Sequence, residues 1–88
     1  MTTTARSDRL LAVARDEWPA LRWRIYRGGM YAVLRGFDRR GHRVVSACKW
    51  HDHDAWSAVF ASDLGGMHVA GRTLRAAIRA ARYAMETP

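Results

Sequence analysis

The sequence contains no Asn or Gln, a single Cys, only two Pro and no long apolar run. One cysteine, Cys48, excludes an internal disulfide and therefore the disulfide-rich scaffolds of small secreted proteins. No stretch approaches the roughly 18 apolar residues of a membrane span, and residues 1–6 lack the apolar segment of a signal peptide. We therefore expect a cytoplasmic protein with no membrane partner.

Negative charge is also scarce, since 15 Lys and Arg residues face 8 Asp and Glu residues, for a net charge of +7 over 88 residues. Such a balance attracts polyanions from a distance, and nucleic acid is the commonest of them. The alternative is a GC-rich genome, which enriches Arg and Ala without any function. A chain of this length buries too little surface for a roomy internal active site, so we expect no small-molecule substrate and no cofactor.

Two helices are predicted at the ends of the chain. After a disordered tail over residues 1–6, Ser7 predicts the N-cap of a first helix, which Pro19 ends because it disfavours helical geometry in the preceding residue. Thr73 predicts the N-cap of a final helix that runs to about Met85. Each helix has apolar residues on one side.

The middle of the chain alternates between apolar and polar residues, as strands do. Arg22–Arg27 is predicted as the first strand, and Gly28-Gly29 as a two-residue turn made possible by positive φ angles. Two further strands are predicted over Met30–Phe37 and His42–Trp50. An alternating run from Trp56 to Phe60 and a short piece from Met67 to Ala70 are also predicted to be extended. Turns or loops are predicted between them, at Asp38–Gly41, His51–Asp54 and Ser62–Gly66.

This order of elements predicts one α+β domain over residues 7–86. We expect a helix, an antiparallel three- to four-stranded meander and a second helix (α-β-β-β-(β)-α). Because both helices are amphipathic, they are expected to cover one face of the sheet, while the other face is hydrated or meets a partner.

Four arginines of the final helix form the first candidate site. Arg72, Arg75, Arg79 and Arg82 recur at spacings of three and four residues, so they form a ridge along the helix. The ridge begins at the helix N-terminus, where the macrodipole is already positive and backbone N–H groups are free to bind an anion. We therefore expect phosphate there, and a solvated face is the alternative.

A second basic cluster extends over the predicted strands and turns. It contains Arg22, Arg24, Arg27, Arg35, Arg39, Arg40 and Arg43. Tyr26, Tyr31 and Phe37 are interleaved with them, and strands that display Arg beside aromatic rings can hold phosphates while stacking bases. The pattern nevertheless favours placing Tyr31, Val33 and Phe37 in the core, with the arginines at its rim. Without Asn or Gln, bidentate reading of adenine is excluded, so recognition of backbone or shape is expected.

The segment from His51 to Asp54 is the only dense cluster of catalytic residue types. His51 and His53 share a face on extended backbone, but no third ligand stands at a known metal-site spacing. We therefore expect a polar turn, with no metal and no enzymatic activity. Cys48 is expected to be a small buried hydrophobic residue rather than a nucleophile.

Part of the chain resembles a known family. The run Asp63-Leu64-Gly65-Gly66 followed by Gly71-Arg72-Thr73-Leu74 is similar to the D-L-x-G and G-x-T-L-x-x-A pattern of HicB antitoxins, over residues 42–85. Gly65 stands where that family usually has Pro. The order of helix, strands and helix also resembles the HicA toxin partner and its double-stranded-RNA-binding fold, but Met30 follows Gly28-Gly29 where that family has its catalytic His. These resemblances imply a small fold used for RNA binding or protein pairing, and they do not imply RNase activity, which is not excluded either.

Two functions are therefore predicted. The first is a non-enzymatic nucleic-acid-binding or regulatory protein that contacts the phosphates of RNA or DNA through its arginines. The second is a protein-interaction module, antitoxin-like or a phage-encoded inhibitor, which binds a protein partner or a second copy through its sheet face or edge. Trp50 and Trp56 are the predicted anchors of the second function.

Overall fold

A computed structural model describes residues 2–62 and 65–86, and within them the chain forms two helices and five strands. The elements are α1 (Thr2–Glu17), β1 (Arg22–Arg27), β2 (Tyr31–Phe37), β3 (Arg43–Trp50), β4 (Trp56–Ser62), β5 (Gly65–Gly71) and α2 (Leu74–Glu86). The strands pair antiparallel with their neighbours in chain order. The predicted α+β fold is confirmed, with five strands in the sheet where three or four were expected.

Both helices cover the same face of the sheet, and the core lies between the two layers. The buried residues of β1 to β4 alternate along the strands, as predicted, although Ile25 and Arg27 of β1 and Lys49 of β3 are only partly buried. The core combines Trp23, Leu34, Val45, Ala47, Ala58 and Phe60 of the strands with Ala14 of α1 and Leu74, Ala77, Ile78 and Ala81 of α2. No helix among the described residues is long and apolar enough to cross a membrane.

Helix α1 starts earlier than predicted. It begins at Thr2 rather than at Ser7, so the prediction of a disordered tail was wrong for residues 2–6, while Met1 lies outside the described residues. No Pro or Gly interrupts residues 2–6, so nothing in them prevents continuation of the helix. The Oγ of Ser7 does not cap the helix but accepts a hydrogen bond from Nη1 of Arg27 at 3.3 Å. The end of α1 at Glu17, just before the Trp18-Pro19 pair, is confirmed.

The β1–β2 turn differs from the prediction in its backbone. The amide of Gly28 donates to the carbonyl of Tyr31 at 3.0 Å, which centres the turn on Gly29 and Met30. Neither glycine has a positive φ, and the described glycine that does is Gly41, at +82°, in the β2–β3 turn.

The β2–β3 turn is held by the side chain of Asp38. Its Oδ1 accepts hydrogen bonds from the backbone amides of Arg40 and His42, each at 2.9 Å. These bonds, led by that from His42, hold the pKa of the Asp38 carboxyl below its ordinary value.

The predicted Ser62–Gly66 loop was wrong, because β4 extends through Ser62 and β5 begins at Gly65. Asp63 and Leu64, which open the HicB-like pattern, lie outside the described residues. The predicted extended piece from Met67 to Ala70 lies within β5. The glycines at either end have little intrinsic strand preference, so pairing with β4 extends the strand to them. After β5, the predicted cap is confirmed, since Oγ1 of Thr73 accepts from the amide of Ala76 at 3.1 Å.

Candidate nucleic-acid interface

The sheet face opposite the helices, here the open face, carries three of the seven arginines of the predicted strand cluster, together with the aromatic residues interleaved with them. Cross-strand pairing aligns Arg24 with Arg35, and Tyr26 with Val33, on this face. The next strand adds Ser46 beside Arg35, Cys48 beside Val33 and Trp50 beside Tyr31. On β1 to β3 the open face therefore comprises Arg22, Arg24, Tyr26, Tyr31, Val33, Arg35, Phe37, Ser46, Cys48 and Trp50.

The charge of the protein is concentrated on the sheet. The five strands carry six basic residues and no Asp or Glu: Arg22, Arg24, Arg27, Arg35, Arg43 and Lys49. Helix α1, by contrast, carries equal numbers of basic and acidic residues. A positive field therefore extends from the sheet layer rather than evenly around the molecule.

Two like charges stand directly opposite each other at the centre of this field. Arg24 and Arg35 are cross-strand partners on β1 and β2, an arrangement that destabilises a sheet. The guanidinium carbon of Arg35 lies 4.8 Å from the centroid of the Tyr26 ring, so Arg35 is held over an aromatic face. Tyr26 is itself 40% exposed. The protein thus maintains a cationic and aromatic surface although its charges repel.

Polar groups at the same point lack partners. Nε of Arg35 and Oγ of Ser46 are buried, and neither makes a hydrogen bond to any described residue. The two residues are direct cross-strand partners. Leaving a buried donor unpaired costs about 1–3 kcal/mol, which singles out this part of the sheet as a place where the fold gives up stability.

An open pocket of about 230 Å³ lies at one end of the face, here the basic end. Its lining includes Arg22, Arg24, Phe37, Asp38 and Gly41. The neighbouring turn presents the exposed residues Arg39 and Arg40. Asp38 is the one carboxylate in that lining, and its Oδ1 is already engaged by two backbone amides.

The opposite end of the face is aromatic. Tyr31 and Trp50 are cross-strand partners whose ring centroids lie 5.4 Å apart with a 55° angle between the planes. They are 37% and 47% exposed, respectively. The expectation that Tyr31, Val33 and Phe37 belong to the core was wrong, since the residues of β2 that enter the core are Ala32 and Leu34.

The helix ridge lies on the other side of the molecule and is bound internally. Nη1 of Arg75 lies 2.7 Å from Oδ2 of Asp16 and 3.0 Å from Oε2 of Glu17. Nε of Arg79 lies 2.7 Å from Oε1 of Glu17. The anion expected at the start of α2 is therefore supplied by the last residues of α1.

The remaining ridge cation with described partners is Arg82. It donates from Nη1 to the carbonyl of Glu17 at 2.8 Å and from Nε to Glu86 at 2.9 Å, and its guanidinium lies 5.9 Å from the centroid of the Trp18 ring. The first bond satisfies a terminal carbonyl of α1. The fourth residue of the ridge, Arg72, precedes α2 and is exposed.

Three other predicted residues are not grouped on the open face. Arg27 turns toward α1, where it bonds Ser7. Arg43 pairs with Phe37 at an irregularity in the β2–β3 register. Trp56, a predicted protein-interaction anchor, is only 8% exposed and belongs to the core, because it has the same parity on β4 as Ala58 and Phe60.

The histidine cluster does not form a site with other side chains. His51 and His53 are exposed in the β3–β4 turn, and the described residues contain no group of three or more potential metal ligands. Cys48 is half-buried on the open face, and burial raises the pKa of its thiol. A thiol of that kind is less nucleophilic near neutral pH.

The aromatic part of the open face had a signal in the sequence. Every second residue of β2 points to the same face of the sheet, and on one face these are Tyr31, Val33, Arg35 and Phe37. Burying that face would also bury the charged Arg35, so these residues are expected to be exposed together. Gly36, which faces the core, leaves room for its cross-strand partner Trp23, whose ring lies 3.2 Å from a Cβ built on Gly36. The charge of Arg35 therefore determines the outward face of β2.

Comparisons of this chain with protein-family models, with curated proteins and with solved structures give no significant match.

Proposed function

We propose that this chain is a small, non-enzymatic nucleic-acid-binding protein that contacts phosphates through the arginines of its open face. The supporting observation is the pairing of Arg24 with Arg35 on strands that contain no acidic residue. A phosphate between these two guanidinium groups relieves their repulsion and accepts charge-assisted hydrogen bonds from both.

A polymer fits the surface better than a single small anion. The cations continue from Arg24 and Arg35 to Arg22 and then to the exposed turn residues Arg39 and Arg40, along one end of the sheet. Several contacts in a row match a chain of phosphates, whose binding releases counterions. Exposed aromatic rings on the same face add contacts that an inorganic anion cannot use.

The proposed absence of catalysis rests on the side chains that the face presents. His68 of β5 lies on the open face beside Val59, and Asp38 lies at its basic end with Oδ1 engaged by two backbone amides. The described residues contain no group of three or more His, Cys, Asp or Glu side chains, and burial raises the pKa of the Cys48 thiol. An enzyme built on His51 and His53 remains testable by replacing both with Ala. Turnover that disappears in this variant would overturn the non-enzymatic assignment.

The test is fluorescence anisotropy of labelled RNA and DNA at two salt concentrations. Arg22→Ala with Arg24→Ala removes two exposed cations of the open face. Arg6→Ala with Arg9→Ala is the matched control, because it removes the same charge from exposed positions of α1. We expect binding that weakens with salt, and a salt slope reduced by about two in the sheet variant.

Each result of this comparison bears on the proposal. Equal losses in both double variants indicate attraction by net charge alone, without a site on the sheet. Absence of binding at low salt contradicts the proposal altogether. Retained binding in the α1 control together with a loss in the sheet variant supports it.

A second function is favoured by the apolar character of the aromatic end. Met30, Tyr31 and Trp50 are all exposed there, and exposed aromatic residues are typical anchors of protein interfaces. In this alternative, an antitoxin-like or inhibitory protein binds another protein or a second copy. Sedimentation that shows a dimer which Trp50→Ala dissociates supports this alternative, and a monomer in both proteins counts against a homodimer.

A further inference from the structure

The two ends of the open face together indicate the form of nucleic acid that it takes. We propose that the open face binds single-stranded nucleic acid, with Trp50 and Tyr31 stacking on unpaired bases while Arg24 and Arg35 hold the backbone. This inference rests on the proposed function and names the substrate class of the same surface.

The width of the sheet argues against entry into a duplex groove. Five strands spaced about 4.8 Å apart make the sheet roughly 19 Å wide between its outer strands. The major groove of B-form DNA is only about 12 Å wide and admits a helix or a two-stranded ribbon. The open face therefore meets a duplex only along its outer phosphates, where its aromatic rings contact nothing.

The helix that is narrow enough for a groove is engaged elsewhere. The arginines of α2 point to the end of α1. Arg75 binds the carboxylates of Asp16 and Glu17, Arg79 binds that of Glu17, and Arg82 donates to the Glu17 carbonyl. Insertion of α2 into a groove requires these contacts to be replaced. Binding of a duplex groove by α2 thus competes with the packing of the two helices.

The aromatic end has the properties of a stacking platform. Tyr31 and Trp50 are held in contact at 5.4 Å, so each ring restricts the other, and both remain more than one-third exposed. Tyr26 lies between them and the arginines along β1 and β2 and is covered in part by Arg35. A face on which aromatic rings and arginines lie side by side suits a single-stranded nucleic acid, because its unpaired bases can stack on the rings while its phosphates contact the arginines.

The length of the face matches a short segment of single strand. Tyr31 and Phe37 are six residues apart on β2, which spans about 20 Å at the usual rise of a strand. The aromatic and basic ends are therefore separated by several nucleotides rather than by one. Bases bind at the Trp50 end, and phosphates bind along Arg35 and Arg24 toward the pocket.

Trp50 also provides a specific spectroscopic signal. The protein has four tryptophans, and Trp18, Trp23 and Trp56 are buried in the core. Stacking of a base on Trp50 quenches its fluorescence, whereas attraction of a strand to the arginines alone leaves the indole unchanged. Quenching thus separates base stacking from simple binding to phosphates.

The experiment titrates the full chain with single-stranded RNA, single-stranded DNA and duplexes of the same length, and records both anisotropy and tryptophan fluorescence. We expect tighter binding of single strands, with quenching. Trp50→Ala should weaken single-strand binding by roughly 5- to 150-fold, which corresponds to the usual loss for one stacked base, and leave duplex binding unchanged. Tyr83→Ala, at an exposed position of α2, is the control and should change neither.

The outcomes distinguish this inference from the proposed function. Salt-sensitive binding of duplex and single strand with equal affinity, or equal loss of both in Trp50→Ala, overturns single-strand recognition but leaves phosphate binding intact. No binding of any polymer overturns both. A preference for the RNA or the DNA single strand identifies the natural source without altering the inference.

Discussion

At the scale of single residues, Gly71 leaves the least room for a side chain among the glycines of the described residues. A Cβ built there lies 2.5 Å from the backbone nitrogen of Ala77 and 2.8 Å from the carbonyl carbon of Ala76. These are backbone atoms of α2, so they cannot move aside as a flexible side chain can. Strand β5 thus approaches α2 closely only because residue 71 has no side chain.

Gly71→Ala is therefore expected to destabilise the fold. Overpacking of this kind typically costs about 1–3 kcal/mol, and each kcal/mol corresponds to about 4–8 °C in Tm for a domain of this size. Thermal unfolding followed by circular dichroism measures the shift. Gly29→Ala is the control, because a Cβ there meets nothing within 4 Å. Equal Tm values for the two variants would contradict the described packing of β5.

Cys48 allows a second test at this scale. Because burial raises the pKa of its thiol, less thiolate is present at pH 7–8 in the folded protein than in the unfolded chain. We expect a thiol reagent to react more slowly with the native protein than with the protein in denaturant, and faster as pH rises. Equal rates at neutral pH would show that Cys48 is fully accessible and unperturbed.

At the scale of secondary-structure elements, the contact between the end of α1 and the start of α2 depends on Glu17. Its side chain is 11% exposed and contacts both Arg75 and Arg79. The hydrogen bond from Arg79, aided by that from Arg75, holds the pKa of Glu17 below its ordinary value, although desolvation opposes this shift. The folded state therefore binds a proton at Glu17 less readily than the unfolded chain does.

The stabilisation by Glu17 is consequently present above the ordinary Glu pKa and is lost as pH falls through the lower pKa of the folded state. We expect Glu17→Gln to lower stability by on the order of 1 kcal/mol at neutral pH, and the difference from wild type to shrink below about pH 4.5. Thermal unfolding between pH 3 and pH 7 measures it. Asp8→Asn, at an exposed site of α1, is the control, and a difference that grows toward low pH would contradict this account.

The same elements show which structural features could be predicted from the sequence. Three features were predictable because a local sequence signal determines each. Alternation of residue types fixed the limits of β1, Pro19 the end of α1, and the hydroxyl of Thr73 before an apolar run the cap of α2. The extended segment Met67–Ala70 within β5 was also predicted, but the glycines at its two ends were not, because they carry no strand signal and only pairing with β4 extends the strand to them. The partners of Arg75 and Arg79 were not predictable either, since Asp16 and Glu17 are about 60 residues away in the chain.

The candidate site was predicted in part. The sequence identifies the arginines, but whether they face solvent together depends on which side the two helices cover. The register of β1 with β2 brings Arg24 beside Arg35, and the ion pairs of α2 hold Arg75 and Arg79 against the end of α1. Trp50 was expected as a protein anchor, and its place beside Tyr31 on the open face became evident only from the register of β2 with β3.

At the scale of the whole molecule, separation of charge between the layers predicts the salt dependence of binding. Strands carry six basic residues without an acid, whereas the arginines of α2 are largely paired with α1. If five arginines of the sheet and its turn neutralise phosphates, the logarithm of affinity falls with that of salt at a slope of about −3.5 for a single strand. Affinity then drops roughly 100-fold between about 50 and 200 mM salt.

Anisotropy titrations across this range measure the slope. The double variant at Arg22 and Arg24 should flatten it, whereas the matched variant at Arg6 and Arg9 should leave it unchanged. A slope near zero would show that phosphates do not contribute to binding. If both variants reduce the slope equally, binding depends on the net charge of the protein rather than on a site at the open face.

The most direct test of the central claim is an NMR titration of the full chain with a short single-stranded oligonucleotide, followed through the indole N–H signals of the four tryptophans and the backbone amides. The account predicts that the indole signal of Trp50 moves while those of Trp18, Trp23 and Trp56 change little, and that amide shifts cluster on β1 to β3. Shifts that cluster on α2, with the Trp50 signal unmoved, would contradict binding at the open face.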